Sequence, residues 1–346
     1  MTSGWYILGA EVDAFEQEFA TYCGTRHCVA VANGLDALHL ILRAFDIGPG
    51  DEVIVPSNTY IASWLAVSQA GAVPIPVEPV LETSNLDPAL VEAAITTRTR
   101  AIMPVHLYGQ PADTAALIEI ASRRGLRVIE DAAQAHGAAS RGTRAGALGH
   151  AAGWSFYPGK NLGAFGDAGA VTTDDDQLAD RLRVLRNYGS RVKYFNEVQG
   201  YNSRLDPLQA AFLRVRLQHL DDWNSRRARM ADRYLAALSD IPGISLPHVP
   251  EWTIPAWHLF VIRCSERESL QSHLHSHGIG TLIHYPVPPH QSGAYAGTPA
   301  AAGSYPLADE LAETVLSLPI GPHMTDEQQS AVIEAVRAWV SRSGSA

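Results

Sequence analysis

The sequence predicts an α/β protein built on a mostly parallel sheet. Two observations carry that prediction, and a third adds a second unit. Short apolar, β-prone runs recur between residues 28 and 173, separated by stretches of helical periodicity, as parallel strands joined by crossover helices require. Glycine- and proline-rich turns punctuate the runs. Beyond Asp206 the pattern changes to long helical stretches rich in Arg, Ala and Leu, which marks a smaller C-terminal α/β unit.

The elements follow in order. Val12, Phe15, Phe19 and Tyr22 fall at helical spacing and set an opening amphipathic helix. A β-prone run at 28–32 leads through Asn33-Gly34 into a helix over 35–45, with Leu38, Leu42 and Phe45 on one face. Strand, glycine turn and helix N-terminus together present free N–H groups and the positive end of the helix dipole to an anion, so Gly34-Leu35 is a candidate phosphate site. Gly48-Pro49-Gly50-Asp51 turns the chain into a strand at 52–56, and 59–70 forms a helix. The run 73–77 contains Pro74 and Pro76, which place it at an edge or a strand end. Runs at 101–106 and 127–131 flank a helix at 113–124, and runs at 153–157 and 169–173 bracket Lys160. Further on, helices are expected over 207–220, 225–238, 269–277 and 326–340, with a strand at 258–263. Residues 283–290 and 292–304 read as loops. The boundary falls in 206–222, giving a large unit over 1–220 and a small one over 221–346.

Composition excludes several classes. A net charge of −10 argues against a nucleic-acid binder, which normally shows a basic face, and leaves room for local basic pockets that take small anions. No apolar run approaches the roughly 18 residues that span a bilayer. Met1 to Tyr6 has neither the basic nor the apolar region of a secretion signal. Three cysteines make no disulfide framework, so a cytoplasmic setting is expected, with Cys23 and Cys28 as buried free thiols. No metal is expected. Cys23-x4-Cys28 lacks the paired thiolates of a zinc site, and His273, His275 and His277 alternate on a helix rather than sharing a face.

The chemistry centres on Lys160, in the loop Gly153-Trp154-Ser155-Phe156-Tyr157-Pro158-Gly159-Lys160-Asn161. A lysine there is either a point charge for a phosphate or an amine that forms a Schiff base with a carbonyl. The phosphate-loop pattern of nucleotide hydrolases fails twice. Five residues separate Gly153 from Gly159, and Asn161 replaces the Mg²⁺-binding Ser or Thr. No G-x-G-x-x-G follows a strand either. Asp131 ends the run 127–131, where a carboxylate in an open α/β sheet faces the ligand crevice or caps the next helix. Beside a pyridine nitrogen it would keep that nitrogen protonated, the tuning that a pyridoxal phosphate enzyme needs. A phosphate-ready helix end, an acid, an amine and an aromatic face at Tyr60 fit that one cofactor.

These residues carry a resemblance. Asn33-Gly34-Leu35-Asp36-Ala37-Leu38, Pro56-Ser57-Asn58-Thr59-Tyr60, Glu130-Asp131-Ala132-Ala133-Gln134, Ser155 to Asn161 and Gly200-Tyr201-Asn202-Ser203-Arg204-Leu205-Asp206 closely resemble the DegT/DnrJ/EryC1/StrS nucleotide-sugar aminotransferases. The likeness runs from Tyr6-Ile7-Leu8-Gly9 to Leu318-Pro319-Ile320-Gly321, and relatives carry a further segment before the stretch matching Ser3 to Gly9. It implies the type I, aspartate aminotransferase-like fold, pyridoxal 5'-phosphate as cofactor with pyridoxamine 5'-phosphate as its aminated form, and homodimers with composite sites. By the resemblance, Lys160 binds the cofactor and moves the proton, Asp131 pairs with the ring nitrogen, Gln134 meets the ring hydroxyl, and Tyr60 stacks on the ring. Gly34, Leu35 and Ser155 hold the phosphate, and Asn202 reaches in from the partner subunit. Lysine at 160, where the family's dehydratases carry histidine, implies transamination.

Arg186-Asn187-Tyr188-Gly189-Ser190-Arg191-Val192-Lys193-Tyr194 and Ile283-His284-Tyr285-Pro286-Val287-Pro288-Pro289-His290 look most like enzymes that aminate C-3′ of dTDP-3-keto-6-deoxyhexoses. That likeness places Tyr157, Lys193, His284 and Tyr285 at the sugar nucleotide and glutamate as amino donor. A cation suits a diphosphate, and a His-Tyr pair suits sugar hydroxyls. A C-4′ or cyclitol aminotransferase and a non-enzymatic cofactor-binding regulator are the alternatives. Against the regulator stands the lack of any appended basic, DNA-reading segment.

Overall fold

The computed structural model describes residues 4–343; Met1 to Ser3, part of the stretch read above for a secretion signal, lie outside it. Seven strands form the central sheet: β1 (His27–Val31), β2 (Glu52–Pro56), β3 (Val73–Val77), β4 (Thr99–Ile102), β5 (Arg127–Asp131), β6 (Ala151–Ser155) and β7 (Gly169–Thr173). Their spatial order is β1-β7-β6-β5-β4-β2-β3. β7 pairs antiparallel with both neighbours and the remaining pairs are parallel, so six strands end at one edge.

Both faces of this sheet are covered, and the strand period of two shows it. Val29 and Val31 pack into one core with Leu38, Ile41, Val53 and Trp64. Cys28 and Ala30 pack into another with Phe15, Phe19, Trp154 and Phe156. Alternate side chains of one strand thus feed opposite layers, which is why the strands read as apolar runs. Trp154 is fully buried, and its Nε1 donates to Thr172 Oγ1 at 2.9 Å, so the indole brings no orphaned donor into the core.

Most expected elements are present with shifted ends. The first helix spans Ala10–Cys23, closed by Gly24 in the left-handed conformation. Asn33 caps the helix Gly34–Ala44, its side chain accepting from the Asp36 amide at 2.8 Å. The run with two prolines, β3, is an edge strand, at the opposite side of the sheet from β1. The expected strand at 101–106 is shorter and earlier, because Pro104 has no N–H to donate to the ladder and pairing resumes only at Val105. Strand β6 likewise starts two residues before the expected 153 and ends at Ser155. Asp131 caps no helix, since residues 132–138 form turns.

The C-terminal part packs helices Leu220–Leu238, Arg267–Ser276 and Asp326–Ser343 on an antiparallel sheet of β8 (Phe260–Cys264) and β9 (Val315–Leu318), edged by Ile244–Ser245. β9 and the helix Pro306–Thr314 before it are absent from the expected elements. All three cysteines are buried and unpaired. One reading is corrected: His273 and His277 do share a helix face, with ring centres 4.4 Å apart. Among the described residues no group of three His, Cys, Asp or Glu is arranged to hold a metal, and no helix is long and apolar enough to cross a membrane.

Candidate active site

Strand register builds the site. Gly169, the first residue of the antiparallel strand, pairs with Val31 on one side and Ser155 on the other. The exits of β1 and β6 are therefore neighbours, and the helix starting at Gly34 begins against Ser155. A Cβ on Gly34 would lie 2.6 Å from the Ser155 Cβ, so only glycine allows this approach. Asn33 occupies the Asp36 amide, which leaves the Gly34 and Leu35 N–H groups without acceptors within the helix. With the Ser155 hydroxyl beside them, these groups make a cradle of phosphate size and polarity.

Asp131 faces the same crevice from β5, opposite Gly153 and two residues short of Ser155 in register. It is 5 % exposed. Its carboxylate accepts from Ser63 Oγ at 2.7 Å and from the Ala133 amide at 3.2 Å. Burial raises its pKa against these bonds and against the Lys160 charge. The neighbouring Glu130 points into the opposite layer. It accepts from His106 Nε2 (2.9 Å) and the amides of Gly146, Leu148 and Gly149 (2.8, 2.9 and 2.7 Å). Two adjacent acids thus divide the work by strand alternation: Glu130 holds a loop, and Asp131 faces the cleft.

Lys160 lies near enough to Asp131 for each charge to act on the other. Desolvation pulls its amine down to about 8, with the Asp131 charge pulling it back. Burial, helped by the positive charge of Lys160, holds His136, His258 and His284 below the usual histidine range, so these three imidazoles are neutral. Gln134 accepts from the Tyr108 amide at 2.6 Å and donates from Nε2 to the Tyr285 hydroxyl at 2.9 Å. Tyr60 is 54 % exposed, with its ring 5.1 Å from that of Tyr285. The His284 Nδ1 pairs with Ser317 Oγ at 2.8 Å, and its carbonyl accepts from the Tyr108 hydroxyl. Residues 283–290 are therefore bound into the cleft through hydrogen bonds on both sides.

Gly34, Leu35, Tyr60, Asp131, Gln134, Ser155, Lys160, His284 and Tyr285 meet at the carboxyl ends of the strands, and Tyr157 stands exposed at the rim. Lys193 and Asn202 do not join them. Lys193 lies on the exposed hairpin 190–196, its Nζ 5.0 Å from the Tyr194 ring centre, and Asn202 is exposed, bridged to Asn187. Ser63, His136 and His258 were missed. Single buried serines and histidines far apart in the chain carry no spacing signal. An open cavity of ≈590 Å³ lined by Arg26, His150 and Asp174 to Asp176 lies at the opposite end of the sheet, where β6 starts and β7 ends.

A doubly covered α/β sheet with a depressed-pKa lysine near a buried aspartate, beside a glycine-lined helix N-terminus, defines an aminotransferase-type pyridoxal phosphate protein. The chain belongs to the DegT/DnrJ/EryC1/StrS aminotransferase family, whose model matches residues 1–337. It is 60 % identical over 99 % of its length, and 90 % of the relative's, to a dTDP-3-amino-3,4,6-trideoxy-alpha-D-glucose transaminase of Streptomyces venezuelae. It is 56 % identical, over 98 % of this chain and 93 % of the relative, to a dTDP-3-amino-3,6-dideoxy-alpha-D-galactopyranose transaminase of Aneurinibacillus thermoaerophilus. The crystal structure of S. venezuelae DesV in complex with a ketimine intermediate superposes with a TM-score of 0.96, at 60 % identity and covering 98 % of this chain and 91 % of that one. The protein is a pyridoxal phosphate-dependent sugar aminotransferase.

Proposed function

We propose that this enzyme transfers an amino group from glutamate to C-3′ of a dTDP-linked 3-keto-6-deoxyhexose, a step of deoxyaminosugar biosynthesis. The observation that carries the reading is the partly buried Lys160 amine, lowered to about 8 by desolvation and held within reach of the Asp131 charge. An amine with that pKa is available near neutral pH both as a nucleophile and as a base. The relatives with 60 % and 56 % identity, whose names specify 3-amino dTDP-sugars, support the sugar and the carbon.

Bound pyridoxal phosphate supplies a carbonyl for amine exchange and a ring that accepts the electron pair released when a carbon–hydrogen bond breaks. The chain supplies the rest. Lys160 would hold the cofactor's carbonyl carbon and, as a free amine, would take the α-proton of glutamate at Nζ and pass it to that carbon. In the half that aminates the sugar, after the donor has left as its keto acid, the Lys160 amine would move a proton at Nζ in the opposite sense and deliver it to C-3′ of the sugar. Asp131 would keep the ring nitrogen protonated, and the Ser63 hydroxyl, which donates to its carboxylate, would orient Asp131 for that bond. Gln134 would meet the ring hydroxyl and Tyr60 would stack on one ring face. The Gly34 and Leu35 amides and the Ser155 hydroxyl would hold the phosphate.

Tyr157, His284 and Tyr285 line the sugar nucleotide's path. Lys193 and Asn202 serve the site of the second subunit in a homodimer. Their exposure, and the absence of any hydrogen bond from either side chain to the chain's own Lys160 cluster among the described residues, supports that placement. The large unit is assigned to 1–220 and the small one to 221–346. Incubation with pyridoxal phosphate, glutamate and the dTDP-3-keto sugar, with NMR of the product, tests the reading. An amine at C-3′ is expected; an amine at C-4′, or transfer only to a cyclitol ketone, overturns it.

A further inference from the structure

Asn161 follows Lys160 directly and is 4 % exposed. Every hydrogen bond of its side chain leaves its own loop. Nδ2 donates to Asn224 Oδ1 at 2.9 Å and to the Ala256 carbonyl at 2.7 Å, while Oδ1 lies 3.3 Å from His258 Nδ1. Asn224 donates in turn from Nδ2 to the His136 carbonyl at 2.7 Å. Carbonyls at both ends fix the direction of each amide. Asn161 Oδ1 is then an acceptor, and the His258 nitrogen that faces it carries the hydrogen. His258 is held as its Nδ1–H tautomer, and burial together with the Lys160 charge keeps the ring neutral.

This amide chain joins three parts of the site: the turn that follows Asp131 and carries Gln134, the Lys160 loop, and the segment 256–258 that leads into β8. The close approach depends on Gly137. At φ +86° a Cβ there would lie 2.4 Å from Asn224 Nδ2. Arg227, one turn along the helix from Asn224, donates to the carbonyls of Trp257, His258 and Ile320 at 3.1, 3.2 and 3.3 Å. The backbone carrying His258 is thus pinned independently of its ring.

We infer that His258 is a positioning residue for Lys160: through Asn161, its Nδ1–H fixes the backbone that carries the reactive amine and ties that backbone to the C-terminal sheet. The inference rests on the aminotransferase reading of Lys160. Carboxamide replacements test it. His258→Asn places an N–H near the Nδ1 position, His258→Gln places one near Nε2, and His258→Leu supplies none. With kcat expressed per bound cofactor, His258→Asn is expected within about threefold of wild type. His258→Gln and His258→Leu lose about tenfold or more in kcat, with KM for the keto sugar within about twofold.

Asn161→Ala combined with His258→Gln costs no more than the larger single effect, as expected for residues acting in series. A readout without turnover is the pH midpoint of the visible absorbance of the Lys160–cofactor linkage. It stays at the wild-type value in His258→Asn and moves in His258→Gln and His258→Leu. Equal activity and equal midpoints in the Asn and Gln variants overturn the inference, as does a loss explained wholly by the urea midpoints of the cofactor-free proteins. If the wild type transfers no amine to the keto sugar, the functional reading falls, and the absorbance titration still decides the role of His258.

Discussion

Lys160 and Asp131 each pull the other toward its charged form, while burial drives both toward neutrality. Desolvation is the larger influence on each, so the amine falls to about 8 and the carboxyl rises above its usual range. The pair holds its charges by mutual support. Replacing Asp131 by Asn removes the influence that raises the Lys160 pKa. The Asp131→Asn enzyme should show the absorbance transition of the Lys160–cofactor linkage at lower pH than wild type, with kcat reduced about a hundredfold or more because the ring nitrogen loses its counter-ion. A pH titration of the visible spectrum and steady-state kinetics check both.

Lys160→Arg keeps a positive charge in the same place but removes the nucleophile and base. Transfer is expected to fall at least about a thousandfold, and borohydride should no longer fix cofactor to the chain. Mass spectrometry of the reduced protein reads the second outcome. Cofactor fixed at another lysine would refute the assignment.

Stability of the cofactor-free protein should rise with pH. The folded-state pKa of Lys160 is depressed from 10.5 to about 8, so its contribution is present above 10.5 and lost as pH falls through 8. Lys160→Met removes this linkage. Urea unfolding at pH 7 and pH 9.5 should give wild type an increase over the variant of at most about 2 kcal/mol, reduced by solvent screening at the partly exposed side chain.

Gly34→Ala tests the cradle. The new Cβ would meet the Ser155 Cβ at 2.6 Å and force the helix end and β6 apart. Cofactor affinity is expected to fall about tenfold or more, with a loss of about 1–3 kcal/mol in the cofactor-free fold. Equilibrium titration with pyridoxal phosphate and denaturation curves separate the two effects.

Complementation tests the shared site. Lys193→Ala should raise KM for the sugar nucleotide, more so at low salt, with little change in kcat. If Lys193 serves the partner subunit, a mixture of Lys160→Ala and Lys193→Ala chains regains about a quarter of wild-type high-affinity sites, because half the dimers each carry one intact site. No gain on mixing would place Lys193 with its own Lys160.

The fold was legible because its signals are local. Alternation of apolar runs and helical periods requires only neighbouring residues, and the prolines at 74 and 76 marked an edge strand through their missing N–H groups. Strand ends were misplaced at 101–106 and 153–157, where pairing with a neighbouring strand, not composition, sets the limit. Of the site, Lys160, Asp131 and the Gly34 helix end could be read, since each sits at a strand exit and has a residue type suited to one task.

What the sequence determined by itself is the chemistry: an amine, an acid and a phosphate cradle in chain order on an α/β scaffold, with a family likeness that specifies the cofactor. Only the tertiary structure decided the balance of charges and supports. The low pKa of Lys160 arises from desolvation acting against the pull of the Asp131 charge, and Ser63 meets Asp131 across 68 residues. Asn161 reaches Asn224 and His258 from 63 and 97 residues away. Desolvation and hydrogen-bond direction depend on what folding brings together, and no spacing along a chain encodes them.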